Sequence, residues 1–499
     1  MGLTRRKFVA LGVAAGTSSL IGCGGVSKGP SNPSNPIVVE NAKPGDPSWV
    51  LSHPAVDGEI EGYASAVSVN RGEQISFFVN TIDPTFALQV FRMGWYGGAG
   101  ARSMGPPVSL TGVQQPAPIT DSTTLLIDAG NWSSSYVLAI PYNASDPTDW
   151  LSGVYLAKLV GSSGRDAFIV FVVRDDGRIS DLLFQSSVTT YHAYNHWNVS
   201  CLYSTPRAYK VSLNRPYSVD YANAAGSGHF QYWEYNLVRF LEREGYDVVY
   251  NTDLDTHLNG SELLLHKGFL SVGHDEYWSW EMRQNVTAAL AANVNLGFLG
   301  ANCCYWQIRF EDSPVNGAAN RTVVCYKLDA PTLDPVAHGP QAYLTTTLWR
   351  NPPVNMPEQD LIGVMYQDGE GSGFVADMVV TDVSNFVFQG TGLQNGDHMP
   401  GLVGYEADVV FPGLGPAGTN IIASSPYIDP KSNFQGISNM TYYTASSGAT
   451  VVATGSNQWS WGLDDYNAAT HHTVYTNASA QQSTRNILAQ FGATPGTPT

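Results

Sequence analysis

Apolar and polar positions alternate through much of the first third of the chain. Ile75-Ser76-Phe77-Phe78-Val79, broken only at Phe78, Ala87 to Arg92, and Val154 to Leu159 carry the period of two expected of half-buried antiparallel strands, and Phe168 to Val173 closes the set. Glycine and proline clusters punctuate these runs, and their spacing resembles that of an immunoglobulin-like sandwich over residues 38–176. Inside it, Gly94-Trp95-Tyr96-Gly97-Gly98 offers two readings, an aromatic sugar platform or a tight turn packed on a neighbouring domain, and the turn is favoured because exposed paired aromatics are uncommon.

After Ser180 the period changes. Leu182-Leu183-Phe184, Asp247 to Tyr250, Phe269 to Val272 and Leu296 to Leu299 are short apolar runs. Helical stretches lie between them, one over 230–244 with Trp233, Leu237, Phe240 and Leu241 on one face, another over 279–292 capped by Ser279. Strands alternating with helices predict a parallel sheet covered on both faces over residues 177–499, completed by a strand at 449–453 and a helix at 481–491. Proline-rich and glycine-rich sequence at about 330–400 breaks the rhythm and reads as an insertion over one edge.

The first 23 residues read as an address. Thr4-Arg5-Arg6-Lys7-Phe8-Val9 is a twin-arginine opening, and the apolar run from Val9 to Ile21 is too short to span a bilayer. Leu20-Ile21-Gly22-Cys23 resembles a bacterial lipoprotein box, which makes Cys23 the lipidated mature N-terminus. A plain signal with a chance cysteine is the alternative, but signal, box and the 24–37 tether (GGVSKGPSNPSNP at its core) occur in the order a lipoprotein needs. The expected location is therefore the bacterial cell envelope, with membrane contact only through the lipid. Twin-arginine export moves folded proteins, which allows a metal to be loaded in the cytoplasm.

Charge narrows the partners. With 42 acidic and 25 basic side chains the net charge is -17, and it falls to -20 once residues 1–22, with their three basic groups, are removed. That balance works against nucleic acid or an anionic membrane surface as a partner. Only 13% of residues are charged, while 43% are hydrophobic, enough to fill real cores. Cys201, Cys303, Cys304 and Cys325 match no zinc spacing, and a single disulfide or buried free thiols are both open.

In a parallel sheet, ligands bind beyond the carboxyl ends of the strands. The first strand leads into Tyr191-His192-Ala193-Tyr194-Asn195-His196 and on to Tyr203, the third ends in Gly273-His274-Asp275-Glu276-Tyr277, and the fourth in Gly300-Ala301-Asn302. No glycine-rich phosphate loop follows any of them, Cys303 lacks the glycine-flanked elbow of a nucleophile, and one histidine before Asp-Glu makes no zincin motif. What converges is a set of oxygen ligands. Glu276 with the phenols of Tyr194 and Tyr203 forms a hard anionic cage. A phenol with a pKa of about 10 ionises at neutral pH only beside a strong Lewis acid, so Fe3+ fits better than magnesium or zinc.

Long segments also resemble the large (beta) subunit of N,N-dimethylformamidase and its relatives. They are Phe91 to Arg102, Tyr191 to Tyr203, Leu241 to Asp247, Ser271 to Trp278, Leu299 to Trp306, Gly401 to Glu406 and Ser447 to Leu463. The resemblance implies an amidotransferase-like sheet and a mononuclear iron held by two tyrosinates and a glutamate, matched here by Tyr194, Tyr203 and Glu276, with Tyr191 as the reserve phenol. It implies hydrolysis of a small amide by metal-activated water, with His274 shuttling the proton and Asn302 holding the developing oxyanion. The family's well-known enzymes are cytoplasmic and pair with a small subunit, whereas this chain reads as exported. The rival is a non-catalytic surface lipoprotein that binds glycans through tryptophans such as Trp459 and Trp461.

If Cys23 is the lipidated terminus, Cys23→Ser should leave the chain unprocessed or free in the soluble fraction. Intact-mass analysis and membrane fractionation check this, and unlipidated mature wild-type protein is the contrary result.

Overall fold

The computed structural model describes residues 35–146, 148–220, 225–226, 229–367, 373–466 and 473–496; the segments expected to be an export signal, a lipoprotein box at Cys23 and most of a tether lie outside them. Among the described residues the chain is mixed α/β and mostly strand. The apolar runs after Ser180 become the parallel strands β1 (Ser180–Ser186), β2 (Val248–Thr252), β3 (His266–Gly273) and β4 (Asn295–Gly300). With β5 (Asn420–Ile428), β6 (Gln435–Thr444) and β7 (Thr450–Ala453) they form one seven-stranded sheet, ordered β2-β1-β3-β4-β7-β6-β5. β7 continues the parallel set, whereas β6 and β5 close it as an antiparallel hairpin. Periodicity does not predict that hairpin, because polar residues such as Ser425, Ser438 and Asn439 fill its core positions.

Successive residues of the parallel strands enter different cores. Leu182, Phe184, Val248, Tyr250, Leu270 and Val272 face one core with Leu237, Phe240 and Leu241 of the helix Tyr235–Glu244 and Ile487 and Leu488 of the helix Ala478–Gln490. Leu183, Val249, Phe269, Phe298 and Val451 face the other, with Met282, Val286 and Ala289 of the helix Trp280–Ala291. The caps match their residues. Ser279 Oγ accepts from Met282 N at 3.2 Å, and Gly245 ends its helix in the left-handed region at φ 72°. Within 330–400, the hairpin Phe374–Val379/His398–Tyr405 joins the edge strand β5 through a Val380–Ala423 bridge.

Two larger sheets precede the parallel one, beside a small two-stranded pair, Ile119–Asp121 with Leu126–Asp128. Ile60–Ala64, Gln74–Thr81 and Tyr136–Ala139 form three strands. Thr85–Met93, Gly153–Gly161 and Asp166–Arg174 carry the larger, six-stranded sheet. Ile60, Phe77, Val79, Leu88, Val90, Ile169 and Phe171 fill the space between the two. Phe78, the break in the alternation, lies on the outer face and stacks on Tyr63 at 4.8 Å. The far face of the larger sheet, with Phe91, Leu156, Phe168, Val170 and Val172, shares the core that covers β1 and β2.

A buried ion pair pins that shared face. Arg92 forks onto Glu242 with Nη2–Oε1 at 2.6 Å and Nη1–Oε2 at 2.8 Å, both side chains fully buried. Asn41 Nδ2 (2.6 Å) and the Tyr250 hydroxyl (3.0 Å) also donate to Glu242. Beside it the Gly94–Gly98 segment is a tight turn: Tyr96 is buried with its hydroxyl donating to Glu40, and Arg239 lies 4.7 Å over the Trp95 ring. Removing one partner strands a buried charge. Arg92→Ala should therefore lower unfolding stability by about 3–5 kcal/mol, seen as a lower urea midpoint, and Arg92→Met combined with Glu242→Leu should recover part of the loss.

Candidate functional site

The site forms where the parallel strands end. β1 runs through Ser187 into the short helix Val188–Ala193, whose C-cap is Tyr194, and the chain then loops to Tyr203. β3 ends at Gly273, held at φ 62° with no room for a Cβ against Trp233, and β4 ends beside it at Gly300, where a Cβ would strike the Gly273 carbonyl. These two glycines let the strand ends come together and release His274-Asp275-Glu276 and Ala301-Asn302 over the rim. Asn302 itself takes φ 55°, a conformation asparagine tolerates better than most residues.

Three oxygen-bearing side chains meet there. The Tyr203 hydroxyl donates to Glu276 Oε1 at 2.8 Å, and the Tyr194 hydroxyl lies 2.8 Å from Oε2 and 3.0 Å from the Tyr203 oxygen. The two rings stack at 4.3 Å. Tyr277 donates to the Tyr203 oxygen at 2.7 Å. Tyr203 keeps 40% of its surface exposed, whereas Glu276 is 1% exposed. His274 Nε2 sits 3.2 Å from Glu276 and 2.9 Å from Glu406, without hydrogen-bond alignment to either. Asn302 Nδ2 donates to Glu406 Oε2 at 3.1 Å, its buried Oδ1 has no hydrogen-bond partner, and Asn457 Nδ2 donates to the same Glu406 oxygen at 3.3 Å.

The charges explain the protonation. Burial, and then the charge of Glu276, push the phenols of Tyr194 and Tyr203 well above the ordinary tyrosine range, so with no cation present both act as donors. Burial works against a charged His274, but Glu406 and Glu276 outweigh it and hold the imidazole up at about 10. Burial would raise Glu276 as well, yet His274, Lys327 and the Tyr203 hydroxyl keep it below the usual carboxylate value. Lys327, 3% exposed, places Nζ 3.2 Å from the centre of the Tyr203 ring, and burial brings its ammonium down to about 8.

Tyr194, Tyr203, Glu276, His274 and Asn302 thus come to one place, and Tyr191 does not. Its ring is fully buried against His229 and Tyr217, with its hydroxyl beside Glu234. Asp275 turns under the sheet to accept from Gln185 at 2.7 Å and Ser271 at 2.8 Å. Burial drives the Cys303 thiol well above its ordinary value, which makes it a poor nucleophile, and all four cysteines from Cys201 to Cys325 are free and buried. Trp459 and Trp461 are buried too, the latter stacked on Trp233 at 5.3 Å, and so offer no exposed platform to a glycan.

Sequence reasoning did not single out Glu406, Lys327, Tyr277 or Asn457. Glu406 had a signal, since a carboxylate ends the run Leu402-Val403-Gly404-Tyr405, but that run arrives from a hairpin 130 residues beyond Glu276. Among the described residues no group of three or more His, Cys, Asp or Glu converges as metal ligands, and two of the three oxygen donors on this rim are phenols. No helix among them is long and apolar enough to cross a membrane.

Fold and site together define a class: a strand-rich α/β protein with a carboxylate, two phenols and an imidazole gathered at the carboxyl end of a parallel sheet. A family model described as "N,N-dimethylformamidase beta subunit-like, C-terminal" matches residues 87–473, well over half of the chain and every site residue named above. The chain belongs to that family. No curated protein matches it. Among solved structures, the crystal structure of murine CEACAM1b is similar at 12% identity over 26% of this chain and 62% of that one, with a TM-score of 0.13, so the match spans less than two thirds of that structure.

Asp408 offers a pH test of the shell. It accepts from Asn302 N at 2.8 Å, and burial, with Glu358 and Glu406 nearby, pushes its carboxyl up to about 7. An unfolded carboxyl titrates at about 4, so the folded chain binds more protons in between and this group's contribution makes stability fall as pH rises through that window. Asp408→Asn keeps the acceptor and removes the titration. Urea unfolding at pH 5 and pH 8 should show a smaller loss for the variant than for wild type.

Proposed function

We propose that this protein is an exported amidohydrolase that uses Fe3+ held by Tyr194, Tyr203 and Glu276 to hydrolyse a small amide. The observation that carries it is the approach of two phenol oxygens to one buried carboxylate at 2.8 Å each. Such a donor set fits a hard trivalent cation: the phenols, held protonated by burial and by Glu276, lose their protons only when a strong positive charge replaces them. When bound, the ion supplies Lewis acidity toward water and the amide carbonyl.

The chain's own groups supply the rest. Glu406 stands 2.9 Å from His274 Nε2, so the two can pass a proton between an attacking water and the departing amine. Asn302 bonds Glu406 through Nδ2, which leaves its second Nδ2 hydrogen to donate to a substrate carbonyl or developing oxyanion and its unpartnered Oδ1 to accept from a substrate or leaving-group N–H. Trp233 and Tyr405, 4.8 Å apart beside His274, give this side of the site an apolar wall. The same reading takes 38–176 as an immunoglobulin-like sandwich and 177–499 as an amidotransferase-like unit with 330–400 laid over one edge. The chain would be lipid-anchored at Cys23 in the bacterial envelope.

Iron content, the visible phenolate-to-iron absorption and amide turnover test it. Wild type should hold iron and colour. Glu276→Ala and Tyr203→Phe should lose both, whereas His274→Ala, Asn302→Ala and Glu406→Gln should keep the metal and lose turnover by about a hundredfold or more. Equal iron in all, or a colourless iron-free wild type after reconstitution, overturns the proposal.

A further inference from the structure

The two phenols stand at opposite ends of one loop, and that loop is fastened from the sandwich. Between Tyr194 and Tyr203, Asn198 and Val199 both adopt left-handed backbone, at φ 53° and 55°. That conformation is unfavourable for a β-branched residue, and Val199 is 86% exposed, so packing of its own side chain does not hold it there. The anchor is next door. Trp197 Nε1 donates to Glu61 Oε2 at 2.6 Å, and its ring meets Trp132 edge-on at 6.0 Å. Glu61 lies on the strand Ile60–Ala64, its other oxygen accepts from Asn80 Nδ2 at 3.1 Å, and Trp132 packs on Tyr63 at 5.6 Å. Ser200 Oγ adds a bond to the Leu125 carbonyl at 2.8 Å. From the other side Arg215 donates to the carbonyls of His192 and Ser200 at 2.7 and 2.6 Å.

We propose that Glu61 and Trp197 are positioning residues, through which the sandwich holds the 194–203 loop at the spacing where both phenols reach Glu276. A bond of 2.6 Å from a half-buried indole to a carboxylate is a strong, directional tie. It is placed three residues after Tyr194 and six before Tyr203. The sandwich is then part of the site rather than a separate module. The inference rests on the proposed metal reading only for what the phenols bind; that they are held is a claim about the chain alone.

Hydrogen exchange on the full chain tests the tie. In Glu61→Ala and Trp197→Phe, amides of 195–204 should exchange about tenfold faster while peptides of β1, β3 and β4 stay unchanged, and Glu61→Gln, which keeps an acceptor, should behave as wild type. In protein that holds iron, the first two variants should also bind it about tenfold more weakly and shift the phenolate absorption. Unchanged loop exchange in both overturns the proposal, as does faster exchange with iron affinity and absorption unaltered. Should Glu61→Ala loosen the central strands too, Trp197→Phe, which removes the N–H donor and leaves the Glu61 strand unaltered in sequence, decides. An iron-free wild type sinks the metal reading alone and leaves the tie to be judged by exchange.

Discussion

A parallel sheet buried on both faces leaves its strands few places for polar side chains away from their ends. Leu182, Leu183 and Phe184 on β1 and Phe269, Leu270 and Val272 on β3 all meet apolar neighbours. Function is thereby confined to the carboxyl rim, where the backbone turns and its groups are free to face a ligand. The closeness of Gly273 to Gly300 is what makes the rim narrow enough for residues from separate strands to touch.

Within that rim the governing problem is charge. Glu276 is as buried as a core leucine, and an uncompensated carboxylate there would be strongly destabilising. Two phenols, an imidazole and the Lys327 ammonium answer it, and Glu406 and Asn302 extend the network outward. Replacing a buried charged network with well-packed apolar side chains of similar volume is often neutral or stabilising. Its presence is best understood as chemistry retained at a stability cost. The Arg92–Glu242 pair differs in kind, for its forked geometry joins the sandwich to the helix behind β2 and touches no site residue.

The sandwich and the rim are linked by more than a shared core. Trp197, reached from Glu61 and Trp132, lies on the only segment that carries both phenols, so the geometry at Glu276 depends on a sheet more than a hundred residues earlier in the chain. Membership of the N,N-dimethylformamidase beta subunit-like family covers both the larger sheet and the rim, since the match begins inside Thr85–Met93.

Local chemistry was legible without the fold. Period-two runs, the Ser279 cap and the apolar strands of the parallel sheet are written in neighbouring residues, because strand and helix periods are properties of a few consecutive side chains. His274 and Glu276 were legible for the same reason: they leave one strand end together, and Tyr194, Tyr203 and Asn302 follow from other strand ends. Only the tertiary structure decided which phenol faces in. Tyr191 and Tyr194 are three residues apart, yet one turns into the core beside Glu234 while the other caps its helix and meets Glu276. Glu406, Lys327 and the Trp197 tie were likewise beyond the sequence, as was the β5–β6 hairpin with its polar core positions. Each depends on which distant segment is brought alongside, and no pattern of neighbouring residues encodes that.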